Sequence, residues 1–129
     1  MITINIRDAL VKIREAFDNK TLQMFNYEQN IELRYSGPCA IGVCVSPSER
    51  TYLDAKAREI MAYSLSDLID NKIVNTPNNR ESVALTQFQE MHDDVCTGTA
   101  SIEDFEDLLV HMERAYPTVA EAPRQLVVD

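Results

Sequence analysis

The chain has 129 residues, of which 45% are hydrophobic and 26% are charged, and its formal net charge at pH 7 is −9. This composition fits one domain with a single core and excludes a low-complexity chain, and the longest apolar run, CAIGVCV, is far shorter than the roughly 20 residues of a membrane-spanning helix. The N-terminal stretch MITINIRDAL predicts no secretory signal, and three cysteines are too few for a disulfide framework, so we expect a cytoplasmic protein.

In the first half of the chain, helix start signals precede two apolar-periodic segments. Asn5 is a candidate N-cap with Asp8 three residues on, and Ser46, Pro47 and Glu49 form the pattern of a capping box with proline at the first helical position. Both patterns predict a helix. The residues predicted to face inward are Ile6, Ala9, Leu10, Ile13 and Phe17 in the first helix and Tyr52, Leu53, Ala57, Ile60 and Met61 in the second.

Between these helices, residues 22–37 alternate imperfectly between apolar and polar side chains, which predicts a short β-hairpin. Gln29 and Asn30 lie near the expected turn. The strand after the turn would place Ile31, Leu33 and Tyr35 on one face and Glu32 and Arg34 on the other.

In the second half, SLSDLIDNKIV predicts a short helix capped by Ser64 or Ser66, and NTPNN predicts a loop. The next helix is expected from near Glu81 to Thr97, with Gly98 as its stop. Its predicted apolar stripe consists of Leu85, Phe88, Met91, His92 and Val95.

The last helix is expected to start at Ser101, with Asp104 three residues on, and to end before Pro117. It should pair with the preceding helix as an antiparallel hairpin. Its predicted inward residues are Ile102, Phe105, Leu108, Leu109, Met112 and Ala115.

These elements predict a mainly α fold of the α+β class, with four to five helices and a short β-hairpin after the first helix. We expect a single compact domain over residues 1–116 and a C-terminal tail over residues 117–129, in which QLVV is a candidate edge strand.

All of the net negative charge falls in the C-terminal part. Residues 1–80 contain ten acidic and ten basic side chains, whereas residues 81–129 contain eleven acidic side chains and only Arg114 and Arg124 as basic ones. Such a field disfavours nucleic acid and anionic membranes and favours a basic protein surface. We therefore expect a basic protein or nucleoprotein partner, and no direct binding of nucleic acid or membrane.

Six carboxylates, three on each of the last two helices, are expected opposite the apolar stripes, where neighbours three or four residues apart repel each other. One interpretation is a solvated face that only keeps the protein soluble. The other is a partner-binding face, because carboxylates spaced along two helices can imitate the phosphates of a duplex and occupy a groove rich in lysine and arginine. The predicted partner-binding residues are Glu90, Asp93, Asp94, Glu103, Glu106, Asp107 and Glu113.

Two metal-binding patterns are incomplete, so we expect no metal and no other cofactor. DDVCTGTASIED resembles an EF-hand loop from Asp93 to Asp104, but Val95 occupies a position that needs an oxygen ligand. A zinc site would have to combine Cys39, Cys44, His92 and Cys96, whose spacing is only loosely suitable, and core packing explains these residues better.

Cys39 is the best candidate nucleophile, because a thiol near a helix N-terminus after Gly37-Pro38 would have a lowered pKa. It needs a base, and nothing in the sequence brings His92 or His111 to it. A buried thiol that packs a tight turn beside Gly42 is the alternative interpretation, and the sequence contains no complete catalytic motif.

The stretch YSGPCAIGVCVSPSERTYLD, preceded by an amphipathic first helix, resembles a pattern in small uncharacterised proteins of phages, prophages and other mobile elements. The resemblance covers roughly residues 1–60 and centres on the Cys-Ala-Ile-Gly turn. It implies a mobile-element context, in which small acidic inhibitors of host machinery, including anti-CRISPR proteins, occur. The leading hypothesis is a non-enzymatic cytosolic interaction protein whose acidic C-terminal helical hairpin occupies a basic site on a nucleic-acid-handling protein or complex, and the resemblance extends this hypothesis to a mobile-element inhibitor. The alternatives are a small thiol- or zinc-dependent enzyme centred on Cys39 and an oligomeric assembly protein.

Overall fold

The computed structural model describes residues 1–25 and 34–117 and confirms the mainly α class. The described part also contains two short strands and 3₁₀ turns at Gln23–Phe25 and Gly42–Cys44. In chain order the helices and strands are β1 (Ile2–Thr3), α1 (Ile6–Asp18), α2 (Pro47–Ile60), α3 (Leu65–Asp70), β2 (Val74–Asn75), α4 (Asn79–Cys96) and α5 (Ile102–Ala115).

Local capping fixes the helix starts, as the sequence predicts. Asn5, Ser46, Ser64 and Ser101 cap α1, α2, α3 and α5, and the capping boxes of α2 and α5 are both complete. The start of α4 comes two residues before the predicted one, because the side chain of Asn78 caps the helix by accepting a hydrogen bond from the backbone of residue 81.

The end of α4 agrees with prediction to within one residue. The helix ends at Cys96, Thr97 is its C-cap, and Gly98 follows with a φ of 81°. This left-handed conformation suits glycine, which has no Cβ to clash with the backbone. The turn it creates leads directly into α5.

The aromatic part of the core lies where α1, α4 and α5 meet. The ring of Phe17 from α1 stacks on Phe105 of α5 at a centroid distance of 5.7 Å, and Phe105 also contacts Phe88 of α4 at 5.9 Å. Contacts of this kind add to the stabilisation that burial of the rings provides. The three helices therefore share one aromatic cluster that sets the position of the α4–α5 hairpin.

Three residues predicted to face inward are exposed. Met61 is 86% exposed because it follows α2 as a C-cap in the left-handed conformation, and this turns it away from the buried side of the helix. Tyr52 of α2 is 40% exposed, since that helix buries only Leu53, Asp54 and Ala57. Ala115, the last residue of α5, is also exposed.

The predicted β-hairpin falls mainly on residues 26–33, outside the described residues. Arg34 and Tyr35, which are described, lie in a turn and are both buried, so their predicted placement on opposite faces of a strand is wrong. The β-structure of the described residues is instead the parallel pair of β1 and β2, with Ile2 opposite Val74. The predicted tail, including QLVV, lies outside the described residues from residue 118 onward.

A long-range hydrogen bond joins the start of α1 to the first turn of α4. Glu81, in the first turn of α4, is buried and accepts a hydrogen bond of 2.7 Å from the backbone N–H of Ile6, the first residue of α1. It thereby satisfies a donor that has no partner within its own helix. This carboxylate supports the fold.

The turn around Cys39 is closely packed. A Cβ on Gly42 would lie 2.1 Å from the carbonyl oxygen of Tyr35, so no larger residue fits there without a shift of the backbone. Arg50 Nε donates to the carbonyl oxygen of Gly42 at 2.6 Å, and Lys12 Nζ donates to that of Cys44 at 3.2 Å.

Across residues 1–25 and 34–117, no helix has both the length and the apolar character needed to cross a membrane.

Candidate protein-interaction surface

Glu90 and Asp94 lie one turn apart on the exposed side of α4. The opposite side of this helix packs into the core through Leu85, Phe88 and His92. The last turn of α4 contains no basic residue, so Asp94 sits near the negative end of the helix dipole without local compensation. At this position the charge of Asp94 lowers the stability of the helix, and the carboxylate is exposed to solvent.

On α5, Glu103, Glu106 and Asp107 are exposed, while Phe105 and Leu109 turn inward. Asp104 is exposed too, but its carboxylate accepts a hydrogen bond from the Ser101 backbone and so completes the capping box. Glu103 lies in the first turn, where the helix dipole favours negative charge.

Asp93 differs from its neighbour Asp94, because its carboxylate forms an ion pair with Arg34. The side chain of Arg34 is only 10% exposed and that of Asp93 is 28% exposed. With its side-chain amide in the orientation that satisfies both groups, Gln89, one turn earlier on α4, also accepts a hydrogen bond from Arg34 Nη2 at 2.8 Å. Arg34 therefore holds the turn before Cys39 against α4, and Asp93 contributes to the fold.

Glu113 is likewise paired within the chain. Its two carboxylate oxygens accept from Nη2 and Nε of Arg14 at 2.7 and 3.0 Å, so that the pair is bidentate and joins α1 to α5. The hydrogen bonds that Arg14 donates to Glu113 raise the pKa of the Arg14 guanidinium above its ordinary value. Both side chains remain about one third exposed, and the pair stabilises the fold less than a fully buried one would.

The seven predicted interaction residues thus separate into two groups. Asp93 and Glu113 are compensated by Arg34 and Arg14. Among the described residues, the other five form no ion pair. We refer to these five as the acidic face: Glu90, Asp94, Glu103, Glu106 and Asp107.

Cys39 is in the environment of a core thiol. It is 0% exposed, its Sγ accepts a hydrogen bond from the backbone N–H of Gly42 at 3.4 Å, and burial raises its pKa. A reactive cysteine needs the opposite, a lowered pKa and access for the substrate. The expected lowering of the Cys39 pKa is therefore wrong, because desolvation outweighs the hydrogen bonds of the turn.

The four residues of the hypothetical zinc site have other roles. His92 is 1% exposed, and its Nε2 accepts from the backbone N–H of Met24 at 3.2 Å, while its Nδ1 lies 3.8 Å from Cys96 Sγ. Burial raises the pKa of Cys44 to about 12. In the ranges 1–25 and 34–117, no group of three or more His, Cys, Asp or Glu side chains is arranged to hold a metal ion.

The resemblance to a calcium-binding loop also has no counterpart in the geometry. The first four positions of that pattern, starting with Asp93, lie inside α4, and its last position, Asp104, lies inside α5. A calcium loop needs side-chain oxygens that converge from an irregular segment. Here Asp93 pairs with Arg34 and Asp104 caps α5 instead.

Sequence reasoning missed five buried polar residues, which are Gln23, Arg34, Asp54, Glu81 and Gln89. The carboxylate of Asp54 accepts hydrogen bonds from the backbone N–H groups of Tyr35 and Ser36 at 2.9 and 3.1 Å, so it organises the same turn that Arg34 fixes. The spacing of Asp54 could have indicated its burial, because this residue precedes Ala57 by three positions and adjoins Leu53 on the apolar side of α2. The residues whose backbone N–H groups bind Asp54 lie 18 and 19 positions away, and no local sequence pattern marks them as its partners.

Comparisons of the chain with protein-family models, curated proteins and solved structures found no match.

Proposed function

We propose that the protein is a cytoplasmic interaction module whose acidic face binds a basic surface of another protein. The observation that carries this proposal is the separation of the carboxylates on the hairpin. Of the predicted interaction residues, Asp93 and Glu113 contact the rest of the chain and are paired with arginine, whereas the acidic face is exposed and has no ion-pair partner among the described residues. Like charges three or four residues apart cost roughly 0.2–0.5 kcal/mol per pair in a helix, so this arrangement does not serve stability.

A nucleic-acid-handling protein is the partner class that this charge favours. Such proteins present Lys- and Arg-lined grooves that bind polyanions mainly through charge. Carboxylates along two adjacent helices offer a similar row of negative groups. The resemblance of residues 1–60 to mobile-element proteins supports the narrower proposal of an inhibitor of host machinery, of the kind that includes anti-CRISPR proteins.

The two alternatives have less support. Cys39 has neither the access nor the lowered pKa of a catalytic thiol. An assembly protein would use an apolar face, whereas the large exposed apolar side chains of the described residues are distributed over the N-terminal residue, α1, α2 with its C-cap, and α4, and these are Met1, Val11, Tyr52, Met61 and Val83. Size-exclusion chromatography with light scattering tests this alternative directly, since a stable oligomer at micromolar concentration would favour it.

The proposal is tested by affinity capture from host lysate with the full chain as bait at low and high salt. Three baits are compared: the wild type, Glu106→Lys with Asp107→Lys, and Glu15→Lys with Glu59→Lys. Both variants change the net charge equally, because all four residues are exposed carboxylates, and the ion pair of Glu59 with Lys56 that the control variant breaks is exposed and contributes little to stability. Asp93 and Glu113 are left intact because their reversal would break the ion pairs with Arg34 and Arg14.

We expect a basic nucleic-acid-binding protein that the wild type and the Glu15/Glu59 variant retain, that the Glu106/Asp107 variant loses, and that added salt releases. DNA should compete for the same protein. A partner that both variants lose equally would indicate attraction by net charge alone, and a partner that resists both charge reversal and salt would contradict the proposal.

A further inference from the structure

A groove of about 410 Å³ separates α3 from α4, next to the acidic face. Ligand-binding clefts in proteins typically measure roughly 300–1,000 Å³, so the groove has room for a short peptide segment. Glu90 belongs both to this groove and to the acidic face. Its lining residues are Ser66, Ile69, Asp70, Asn79, Ser82, Val83, Thr86, Gln87 and Glu90.

The apolar part of the groove comes from one residue on each helix. Ile69 of α3 is partly buried against the core, while Val83 of α4, which also lines the groove, is 51% exposed. Exposed apolar surface of this kind suits the methylene groups of a long side chain.

The charged part consists of two carboxylates on different helices. Asp70 is the last residue of α3 and Glu90 lies on α4, both are exposed, and neither forms an ion pair among the described residues. No lysine or arginine lines the groove. Hydroxyl and amide groups, including those of Thr86 and Gln87, complete its walls and can hydrogen-bond a peptide backbone.

We propose that the α3–α4 groove receives a basic peptide segment of the partner, with a lysine or arginine side chain between Asp70 and Glu90. Its methylene groups lie on Ile69 and Val83, and its charged end binds the two carboxylates. This charge complementarity selects a cationic segment over an acidic or purely apolar one. The inference rests on the proposed function in naming a basic partner, and it adds the place where one of its side chains binds.

The test measures binding of a fluorescein-labelled peptide, GKRKG, to the full chain by fluorescence anisotropy, with GQQQG as the control peptide. Asp70→Asn combined with Glu90→Gln should weaken the affinity for GKRKG at least about tenfold, the loss expected when charge-assisted hydrogen bonds are removed. Glu103→Gln combined with Asp107→Asn removes the same charge outside the groove and should change it less than about twofold.

A second variant, Val83→Lys, puts a positive charge into the groove at an already exposed position and should also weaken the peptide about tenfold. Amide spectra of the ¹⁵N-labelled chain should show peptide-induced shifts at Ser66, Val83 and Gln87. The inference is overturned if GKRKG does not bind, if the groove variants leave its affinity unchanged, or if the Glu103/Asp107 variant weakens it as much as they do.

The two proposals fail in distinguishable ways. Asp70 belongs to the groove and not to the acidic face, so Asp70→Asn alone separates them. If the captured partner is lost with the Glu106/Asp107 charge reversal but retained by Asp70→Asn and Val83→Lys, the proposed function stands and the groove inference falls. If GKRKG binds the groove while no salt-sensitive partner is captured, the groove inference stands and the proposed function falls.

Discussion

Both sides of the α4–α5 hairpin carry carboxylate side chains, but the two sides differ in whether these carboxylates form ion pairs. On the side that contacts the rest of the chain, Asp93 pairs with Arg34 and Glu113 pairs with Arg14. On the outer side, the acidic face has no such partner among the described residues. The difference shows that burial and pairing decide which carboxylates stabilise this fold, and that net charge alone does not identify an interaction surface.

The largest difference in stability is expected when Asp93 and its neighbour Asp94 are neutralised separately. Asp93→Asn removes the partner of the nearly buried Arg34 and should lower the free energy of unfolding by about 2–4 kcal/mol, because loss of one member of a buried pair leaves the other uncompensated. Asp94→Asn should change it by less than about 0.5 kcal/mol. Urea denaturation followed by circular dichroism measures both values. Equal effects of the two substitutions would show that Arg34 does not depend on Asp93.

The buried thiol of Cys44 predicts a loss of stability at alkaline pH. The thiol of Cys44 is buried and has a pKa of about 12 against an ordinary value of 9.0, so the unfolded chain loses this proton at lower pH than the native chain does. Its contribution to stability is complete below pH 9 and is lost as the pH rises towards 12. Between pH 8 and 10 we expect a loss of about 1 kcal/mol from this thiol.

The matched measurement uses Cys44→Ala. This variant is less stable at every pH because of the smaller side chain, but its stability should fall less steeply with pH than that of the wild type. Urea titrations at pH 8, 9 and 10 give both slopes. Parallel slopes would mean that Cys44 ionises equally readily in the native and unfolded states.

The smallest expected effect concerns the partly exposed pair of Arg14 and Glu113. Glu113→Gln should destabilise the protein by about 0.5–1 kcal/mol, and the loss should shrink in 1 M salt, since solvent already screens a pair at this exposure. Glu106→Gln removes an equal charge from the acidic face and should be neutral or slightly stabilising. If both variants lose the same stability, the distinction between the two sides of the hairpin is wrong.

Features encoded by neighbouring residues could be predicted from the sequence. The N-caps Asn5, Ser46 and Ser101 and the stop at Gly98 depend on side chains within a few positions, and all four occur as predicted. The exposed carboxylates of the hairpin were also predictable, because helical periodicity separates polar from apolar positions.

Features that depend on distant residues could not be predicted. Arg34 and Asp93 are 59 positions apart, and nothing local marks either one as half of a pair. The two-residue strands β1 and β2 are too short for a periodic signal. Met61 ends α2 in a left-handed conformation that is usual for glycine or asparagine, so tertiary structure overrides the local preference there.

The bond between Glu81 and the backbone of Ile6 has a consequence for synthesis of the chain. Ribosomes make α1 early, but the acceptor at its first residue lies 75 positions later, and β1 pairs only with residues 74 and 75. Contacts so distant in sequence form slowly, because a long loop must close first. During translation the amphipathic α1 therefore emerges with its Asn5 cap in place, but its apolar side stays uncovered and the N–H of Ile6 lacks its acceptor until residue 81 has been made.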